Sequence, residues 1–221
     1  MSVNKHLRSF VKRSGRLTNS QKLFFYNKEN NLNYFNEKKI INYEELFNNK
    51  NKCILDIGFG DGKLLINIAK RFPDINFIGV EVYESGIGSI LKDISDLNLK
   101  NIKIANIDAI ELLKNNIKDK SLQGISLFFP DPWPKKKHFK RRIINNYFIH
   151  LVSTKIQING FIKIATDWSD YANEIINLFD NHKNFVRVNE ILYYKERELT
   201  KFEKRGIILG HKITELSFKT I

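Results

Sequence analysis

The sequence predicts an α/β fold in which helices cover both faces of a mostly parallel sheet. From Cys53 onward, short apolar runs typical of strands alternate five times with longer segments that have the apolar spacing of helices. The first of these runs ends in a turn with three glycines, from Gly58 to Gly62. Strands separated by helices pair in parallel and carry helices on both faces, so these observations indicate a doubly wound fold.

Each element is predicted from its own pattern. The runs CILDI, INFIGVEV, IKIAN, GISLFF and FIKIAT are short and rich in Ile, Val and Phe, which is typical of buried strands. Gly, Pro, Asn or Asp marks most of the boundaries, and Asn159-Gly160 is expected to end the longest helix. The tail adds two strand candidates, FVRVN and TELSFKT. The predicted strands are 53–57, 75–82, 102–106, 124–129 and 161–166, and the predicted helices are 63–72, 86–97, 109–116, 141–156 and 169–182.

The first 50 residues are predicted to form a basic N-terminal arm, and the folded domain is predicted at 51–221. Residues 1–28 contain no aspartate or glutamate and show little hydrophobic periodicity, so we expect this part of the arm to be mobile. Closer to the domain, Glu44 to Phe47 could form one or two helical turns. The basic residues of the arm are Lys5, Arg8, Lys12, Arg13, Arg16, Lys22 and Lys28.

The chain carries a formal net charge of +13 and has a pI near 9.7. Such a charge favours a polyanionic partner, because lysine and arginine release counterions when they neutralise phosphates. A basic protein without a polyanionic ligand remains an alternative here, since the base composition of the coding genome could also enrich lysine. The positions of the charges are therefore more informative than their number.

Several classes of protein are disfavoured by the sequence. Cys53 is the only cysteine, so the chain can form neither an intrachain disulfide nor a cysteine-based zinc site, and no metal centre is predicted. The N-terminus is charged and lacks a signal-like apolar stretch, and no uncharged apolar run reaches the roughly 18 residues of a membrane span. We therefore expect a cytoplasmic protein without a membrane segment, and no obligatory protein partner is implied.

Acidic residues accompany three successive predicted strands beside the glycine turn. Asp56 precedes Gly58 and Gly60, Glu81 ends the second strand, and Asp108 follows the third. A carboxylate at the end of the second strand can accept hydrogen bonds from both ribose hydroxyls of a nucleoside. Acids around the turn disfavour a diphosphate, but they favour a cationic ligand such as S-adenosylmethionine. Asp108 could bind the adenine amino group or could only cap the following helix.

The fourth predicted strand leads into FFPDPWPKKKHFKRR, residues 128–142. Three of the four prolines stiffen this loop, and Asp131 and Trp133 lie between them. A carboxylate that accepts hydrogen bonds from N1 and the exocyclic amino group, beside an aromatic face, suits guanine. The alternative is a proline-rich turn with a core tryptophan. The lysines and arginines from Lys135 to Arg142 then indicate a phosphate clamp, although such a run elsewhere would be an ordinary solvated surface.

These motifs together resemble the bacterial tRNA (guanine-N7-)-methyltransferases. The similarity extends along nearly the whole chain, from RSFVKRSGRLT at 8–18 to TKFEKRGIILGH at 200–211. The combination of FPDPW, a basic run, TDW and TKFE is far more specific than the glycine turn. The resemblance implies a Rossmann-like, seven-stranded class I methyltransferase fold. It also implies that S-adenosylmethionine donates a methyl group to N7 of the variable-loop guanine, position 46, of tRNA.

The resemblance also assigns candidate site residues by position, with Asp131 as the catalytic residue. Two positions depart from the family pattern: Asp56 stands where glutamate is usual, and Lys137 stands where arginine is usual, which weakens a bidentate phosphate contact. The cofactor-binding candidates are Asp56, Gly58, Gly60, Glu81, Asp108 and Asp131, and the substrate-binding candidates are Lys135, Asp167, Thr200, Lys201, Phe202 and Glu203.

The chemistry of guanine N7 changes the expected task of Asp131. N7 carries a lone pair and needs no deprotonation, so we hypothesise that this carboxylate positions the base and stabilises charge rather than accepting a proton. Three other functions compete: methylation of rRNA or of another tRNA atom, RNA binding without catalysis, and nicotinamide-dependent oxidation. The FPDPW and TKFE motifs disfavour the first, the intact glycines and acids disfavour the second, and the spacing of the turn disfavours the third.

Overall fold

The computed structural model describes residues 8–10, 16–26 and 39–221. The strands are β1 (Cys53–Ile57), β2 (Asn76–Val80), β3 (Ile102–Ala105), β4 (Leu122–Phe128), β5 (Ile156–Thr166), β6 (Phe185–Arg187) and β7 (Thr214–Thr220). The α-helices are α1 (Asn19–Tyr26), α2 (Tyr43–Phe47), α3 (Lys63–Arg71), α4 (Glu84–Asp96), α5 (Ala109–Asn115), α6 (Asn146–Lys155), α7 (Ser169–Asp180) and α8 (Lys201–Ile208). Short 3₁₀ helices cover Lys136–Arg141 and Leu192–Tyr194. None of the helices in these ranges is both long and apolar enough for a membrane span.

The seven strands form one sheet in the order β3-β2-β1-β4-β5-β7-β6. Strands β1 to β5 pair in parallel, whereas β7 pairs antiparallel with both β5 and β6. The predicted mostly parallel, seven-stranded sheet is thus confirmed. The strand order reverses between β1 and β4, and ligands of such sheets bind beside this switch point at the carboxyl ends of the strands.

Two apolar clusters attach the helices to opposite faces of the sheet. The larger cluster joins α5, α6 and α7 to one face through residues such as Leu113, Phe148 and Phe179. The other joins α3 and α4 to the opposite face, for example through Leu65 and Ile90. All residues of β1 and β2 are buried, as expected for strands that are covered on both sides. This packing fixes the strand ends, where the polar residues lie.

The connection between β4 and β5 differs from the prediction. Helix α6 begins at Asn146 instead of residue 141, because the Asn145 side chain caps it by accepting a hydrogen bond from the Phe148 amide. The basic residues before it form a 3₁₀ helix instead. Strand β5 begins at Ile156 and continues through Asn159, whose φ of 60° belongs to an irregularity within the strand and not to a helix end.

Part of the arm that was expected to be mobile is helical. Helix α1 packs on α4, and Gln21 Nε2 donates a hydrogen bond to Ser89 Oγ at 3.0 Å. Gly88 permits this approach, since a Cβ atom there would lie 2.7 Å from the Gln21 carbonyl oxygen. The predicted helical turns at Glu44 to Phe47 are present as α2. The rest of the predicted arm, residues 1–7, 11–15 and 27–38, lies outside the described residues.

Candidate active site

Two adjoining cavities open at the carboxyl edge of the sheet, beside the switch point. The main cavity, of about 490 Å³, is lined by residues that follow β1 to β5 and by the end of α8. The loop cavity, of about 670 Å³, lies between the glycine turn, α4 and the start of α8. The two cavities share the glycine turn and four aromatic residues, and the shared residues are Gly58, Gly60, Tyr83, Phe128, Phe129 and Phe202.

The glycine turn has a backbone that favours glycine at three positions. Gly58, Gly60 and Gly62 have φ angles of +71°, +63° and +79°, in the left-handed region. Helix α4 passes directly behind the turn, and a Cβ atom at Gly86 would lie 2.1 Å from the Gly60 carbonyl oxygen. The conformation of the turn therefore depends on close contact with Gly86 of α4 as well as on its own glycines.

Glu81 shapes the turn and also faces the main cavity. Its Oε2 atom accepts a hydrogen bond from the Gly60 amide at 3.1 Å, and Oε1 accepts hydrogen bonds from the amides of Val82 and Tyr83 at 2.7 and 3.2 Å. Burial raises the pKa of Glu81, the three amides oppose this, and the nearby Asp131 carboxylate raises it further. The residue lines the main cavity, where its remaining lone pairs can accept ligand hydroxyls.

Asp108 forms the helix cap that the sequence offered as one alternative, and it also lies at the main cavity. Its Oδ1 atom caps α5 by accepting hydrogen bonds from the amides of Ile110 and Glu111 at 2.8 and 3.3 Å. The residue also lines the main cavity. Since both capping bonds use Oδ1, Oδ2 can accept a hydrogen bond from a ligand while the cap persists.

Asp56 lies in β1 and lines the loop cavity, whereas Glu81, Asp108 and Asp131 line the main cavity. Only 4% of Asp56 is exposed, and the Ser126 hydroxyl donates a hydrogen bond to its Oδ1 at 2.8 Å. Burial raises the pKa of Asp56 to about 7; Ser126 opposes this rise and Glu81 adds to it. The four acidic residues that were predicted to bind the cofactor are therefore divided between the two adjoining cavities.

The raised pKa of Asp56 predicts an unusual pH dependence of stability. From about pH 4 to 7 the folded chain keeps this proton while the unfolded chain has lost it, so stability falls as pH rises through that window. Asp56→Asn is expected to remove this loss. Between pH 5 and pH 8 the free energy of unfolding of the wild type should fall by about 2 to 3 kcal/mol relative to the variant. Urea unfolding at the two pH values measures the difference, and equal changes would contradict it.

The loop that carries Asp131 has a strained backbone. Phe129 and Trp133 adopt φ angles of 53° and 45°, which non-glycine residues rarely take. Asp131 lies between them, is exposed and lines the main cavity, while Pro130 beside it is buried. Such conformations persist only where surrounding contacts enforce them, so the neighbours of this loop determine where the carboxylate lies.

Arg142 is one of the neighbours that hold this loop. The sequence placed this arginine in the phosphate clamp, and the structure corrects that prediction. Arg142 is 2% exposed, and its Nε donates a hydrogen bond to the Pro132 carbonyl oxygen at 2.8 Å. Its guanidinium lies against the rings of Phe139 and Tyr171, 3.8 and 4.6 Å from their centroids, and pairs with Glu174. A side chain enclosed in this way braces the loop and is not available to a phosphate.

Trp133 lies outside the residues that line the main cavity, and Trp168 lines it instead. The Trp133 indole Nε1 donates a hydrogen bond to the Ser9 carbonyl oxygen at 2.9 Å, and the Arg141 guanidinium lies 4.9 Å from the ring centroid. The aromatic wall expected from Trp133 is thus provided by the other tryptophan. Both tryptophans follow an aspartate near a strand end, so the sequence alone does not show which of them lines the cavity.

Helix α8 was not predicted, and a capping box explains why it forms. Thr200 Oγ1 accepts a hydrogen bond from the Glu203 amide, and Glu203 Oε2 accepts one from the Thr200 amide. Glu203 is 3% exposed, binds Arg197 through both oxygens at 2.6 and 2.9 Å, and lines neither cavity. Glu203 therefore anchors α8, and its contact with substrate stays a prediction. Thr200, Lys201 and Phe202 do line the loop cavity.

The remaining predicted residues separate into two groups. Asp167 lines the main cavity, whereas Lys135 is exposed at the start of the 3₁₀ helix and lines neither cavity. Arg205 and His211 also line the main cavity, although they were not among the predicted site residues. Both belong to the TKFEKRGIILGH motif, which was the available signal.

Comparison with known proteins agrees with this geometry. A family model described as "Putative methyltransferase" matches residues 50–216. The chain is 41% identical to the tRNA (guanine-N(7)-)-methyltransferase of Psychromonas ingrahamii, in an alignment that covers 100% of this chain and 94% of that protein. The protein of the same name from Buchnera aphidicola subsp. Baizongia pistaciae is 38% identical, with 99% and 92% covered.

Solved structures show the same fold at low sequence identity. The aminoglycoside resistance methyltransferase NpmB1 superimposes with a TM-score of 0.55, covers 81% of this chain and 92% of its own, and is 14% identical. Phosphoethanolamine N-methyltransferase 2 of Haemonchus contortus, in complex with S-adenosyl-L-methionine, gives a TM-score of 0.50 at 11% identity, with 91% and 56% covered. The chain therefore belongs to the bacterial tRNA (guanine-N7-)-methyltransferase family and has the class I methyltransferase fold.

Proposed function

We propose that this chain transfers a methyl group from S-adenosylmethionine to N7 of the variable-loop guanine, position 46, of tRNA in the cytoplasm. The observation that carries the proposal is one cavity at the switch point that brings together acids from four strand ends, Glu81, Asp108, Asp131 and Asp167. Relatives aligned over nearly the whole chain bear the corresponding name and support this substrate.

The carboxylate acceptors of the two cavities fit S-adenosylmethionine. A Cβ atom at Gly58 would meet no atom within 4 Å, so the turn leaves open space for a ligand. Glu81 can accept hydrogen bonds from ribose hydroxyls and Asp108 from the adenine amino group, and Asp56 can pair with the ammonium group of the methionine portion. When bound, the cofactor supplies a methyl group that its sulfonium makes electrophilic.

The residues of the main cavity fit the needs of N7 methylation. The guanine has to lie with its N7 lone pair in line with the methyl group, and Trp168 provides an apolar surface against which a base can stack. Positive charge appears on the purine as the methyl group is transferred. Asp131, at the same cavity, can stabilise this charge without accepting a proton.

The exposed lysines after the Asp131 loop are proposed to bind tRNA phosphates. Lys136→Ala removes one such charge, so it should weaken tRNA binding and reduce the slope of log K against log salt by about 1. Its melting temperature should match that of the wild type. A filter-binding titration over several salt concentrations measures the slope, and an unchanged slope would remove Lys136 from the clamp.

Arg142→Ala is expected to act differently, because this arginine is buried. It should lower the free energy of unfolding by about 2 to 3 kcal/mol, since it removes a buried side chain, its ion pair with the partly exposed Glu174 and its hydrogen bond to the Asp131 loop. Urea unfolding of both variants measures their free energies of unfolding, and only the variant that loses a structural contact should be destabilised. Equal stability of Arg142→Ala and Lys136→Ala would contradict the role of Arg142 in holding the Asp131 loop.

The proposed function is tested by incubating the protein with unmodified tRNA transcripts and methyl-labelled S-adenosylmethionine, followed by nucleoside analysis. Label should appear in 7-methylguanosine and should vanish from a transcript whose variable-loop guanine is replaced by adenine. Label in another nucleoside, or only in added ribosomal RNA, would refute the assigned substrate and favour the competing methyltransferase function.

A further inference from the structure

His211 and Asp167 form a contact in the wall of the main cavity that the predicted site did not contain. Asp167 directly follows β5, and His211 follows the end of α8. The distance from His211 Nδ1 to Asp167 Oδ2 is 3.0 Å. Both side chains are partly exposed, 39% for His211 and 29% for Asp167, and both line the cavity beside Trp168.

The end of α8 is built to bring these two side chains together. Gly210 has a φ of +77°, and the His211 amide donates a hydrogen bond to the Gly206 carbonyl oxygen at 2.9 Å, as in a Schellman turn. This turn directs the chain back toward Asp167. Gly206 lets the helix pass close to the aspartate, because a Cβ atom there would lie 3.2 Å from Asp167 Oδ2.

The contact is not needed to hold α8 in place. A partly exposed side-chain contact such as that of His211 with Asp167 contributes little to stability. The buried pair of Arg197 and Glu203, both side chains 4% exposed, already anchors the helix. Glu215 on β7 binds the same arginine and extends this anchor to the sheet. The position of the His211 contact at the cavity therefore points to a role with a ligand.

We propose that His211 is a positioning residue for the substrate base, an inference that rests on the proposed function. By donating its Nδ1 hydrogen to Asp167 Oδ2, His211 fixes the carboxylate and leaves Oδ1 for the base. The Watson–Crick edge of guanine presents two donors, N1–H and the exocyclic amino group, which a fixed carboxylate can accept. Adenine presents an unprotonated N1 there, so the same carboxylate disfavours it. Asp167 selects guanine, and His211 holds the Asp167 carboxylate in the orientation that this selection requires.

The test compares tRNA transcripts that carry guanosine or inosine at the target position, because inosine lacks only the exocyclic amino group. The wild type should prefer guanosine in kcat/KM by about tenfold or more, the effect of one lost hydrogen bond to a charged group. His211→Ala should reduce this preference to about twofold. His211→Asn, whose side-chain amide can donate from a similar position, should restore most of it.

Lys212→Ala is the matched control, since it removes an exposed neighbouring side chain and leaves the His211 contact intact. It should retain the wild-type preference. An unchanged preference in His211→Ala would overturn the proposal. So would a parallel loss of melting temperature or of cofactor affinity by calorimetry, because that pattern indicates a structural role. Failure of the proposed function is distinct, since the wild type would then leave guanosine transcripts unmethylated.

Discussion

Asp131→Asn is expected to lower the rate of methyl transfer by about 10²- to 10³-fold, the usual effect of removing a group aimed at developing charge. Asparagine keeps the shape of the side chain and removes its charge. Asp131 lines the main cavity, and its carboxylate is close enough to Glu81 to raise the pKa of that residue. The variant therefore tests the electrostatic contribution of the carboxylate separately from its volume.

Single-turnover rates at saturating cofactor and tRNA are the appropriate measurement, with cofactor affinity followed by calorimetry. Asp170→Asn is the matched control, because it makes the same chemical change at an exposed position in the first turn of α7, outside both cavities. It should turn over like the wild type. Near-normal turnover of Asp131→Asn would remove the carboxylate from the mechanism and leave catalysis to alignment alone.

Gly86→Ala is expected to weaken S-adenosylmethionine binding by about ten- to a hundredfold. In most helices this change stabilises the fold by about 1 kcal/mol. Here the new Cβ atom would lie 2.1 Å from the Gly60 carbonyl oxygen, so the glycine turn has to move. Such overpacking costs about 1 to 3 kcal/mol, and it displaces the backbone that both cavities share.

Gly88→Ala is the control for this prediction, since it lies on the same helix and meets α1 instead of the turn. It should loosen α1 and change cofactor affinity far less than Gly86→Ala does. Calorimetric titration with S-adenosylmethionine and thermal unfolding of both variants provide the comparison. Equal cofactor affinities for the two variants would show that the contact between Gly86 and the turn does not control the site.

Features encoded by local patterns could be predicted from the sequence. Apolar runs and helical spacing identified the five parallel strands, because period and burial are recorded in neighbouring residues. The positions of Glu81, Asp108 and Asp131 at one edge followed from parallel topology, which brings the carboxyl ends of strands together. The family resemblance added the substrate, which neither charge nor spacing could supply.

Only the tertiary structure decided which charged and aromatic residues face the cavities. Arg142 and Lys136 look equivalent in the sequence, yet one braces the Asp131 loop and the other is exposed. Glu203 is enclosed by Arg197, which lies six residues earlier, whereas His211 reaches Asp167 across 44 residues of chain. The roles of Glu203 and His211 depend on contacts formed when α8 docks on the sheet, and the local sequence does not specify that docking. The sequence by itself therefore determined the chemistry available at the sheet edge, and long-range packing determined which side chains deliver it.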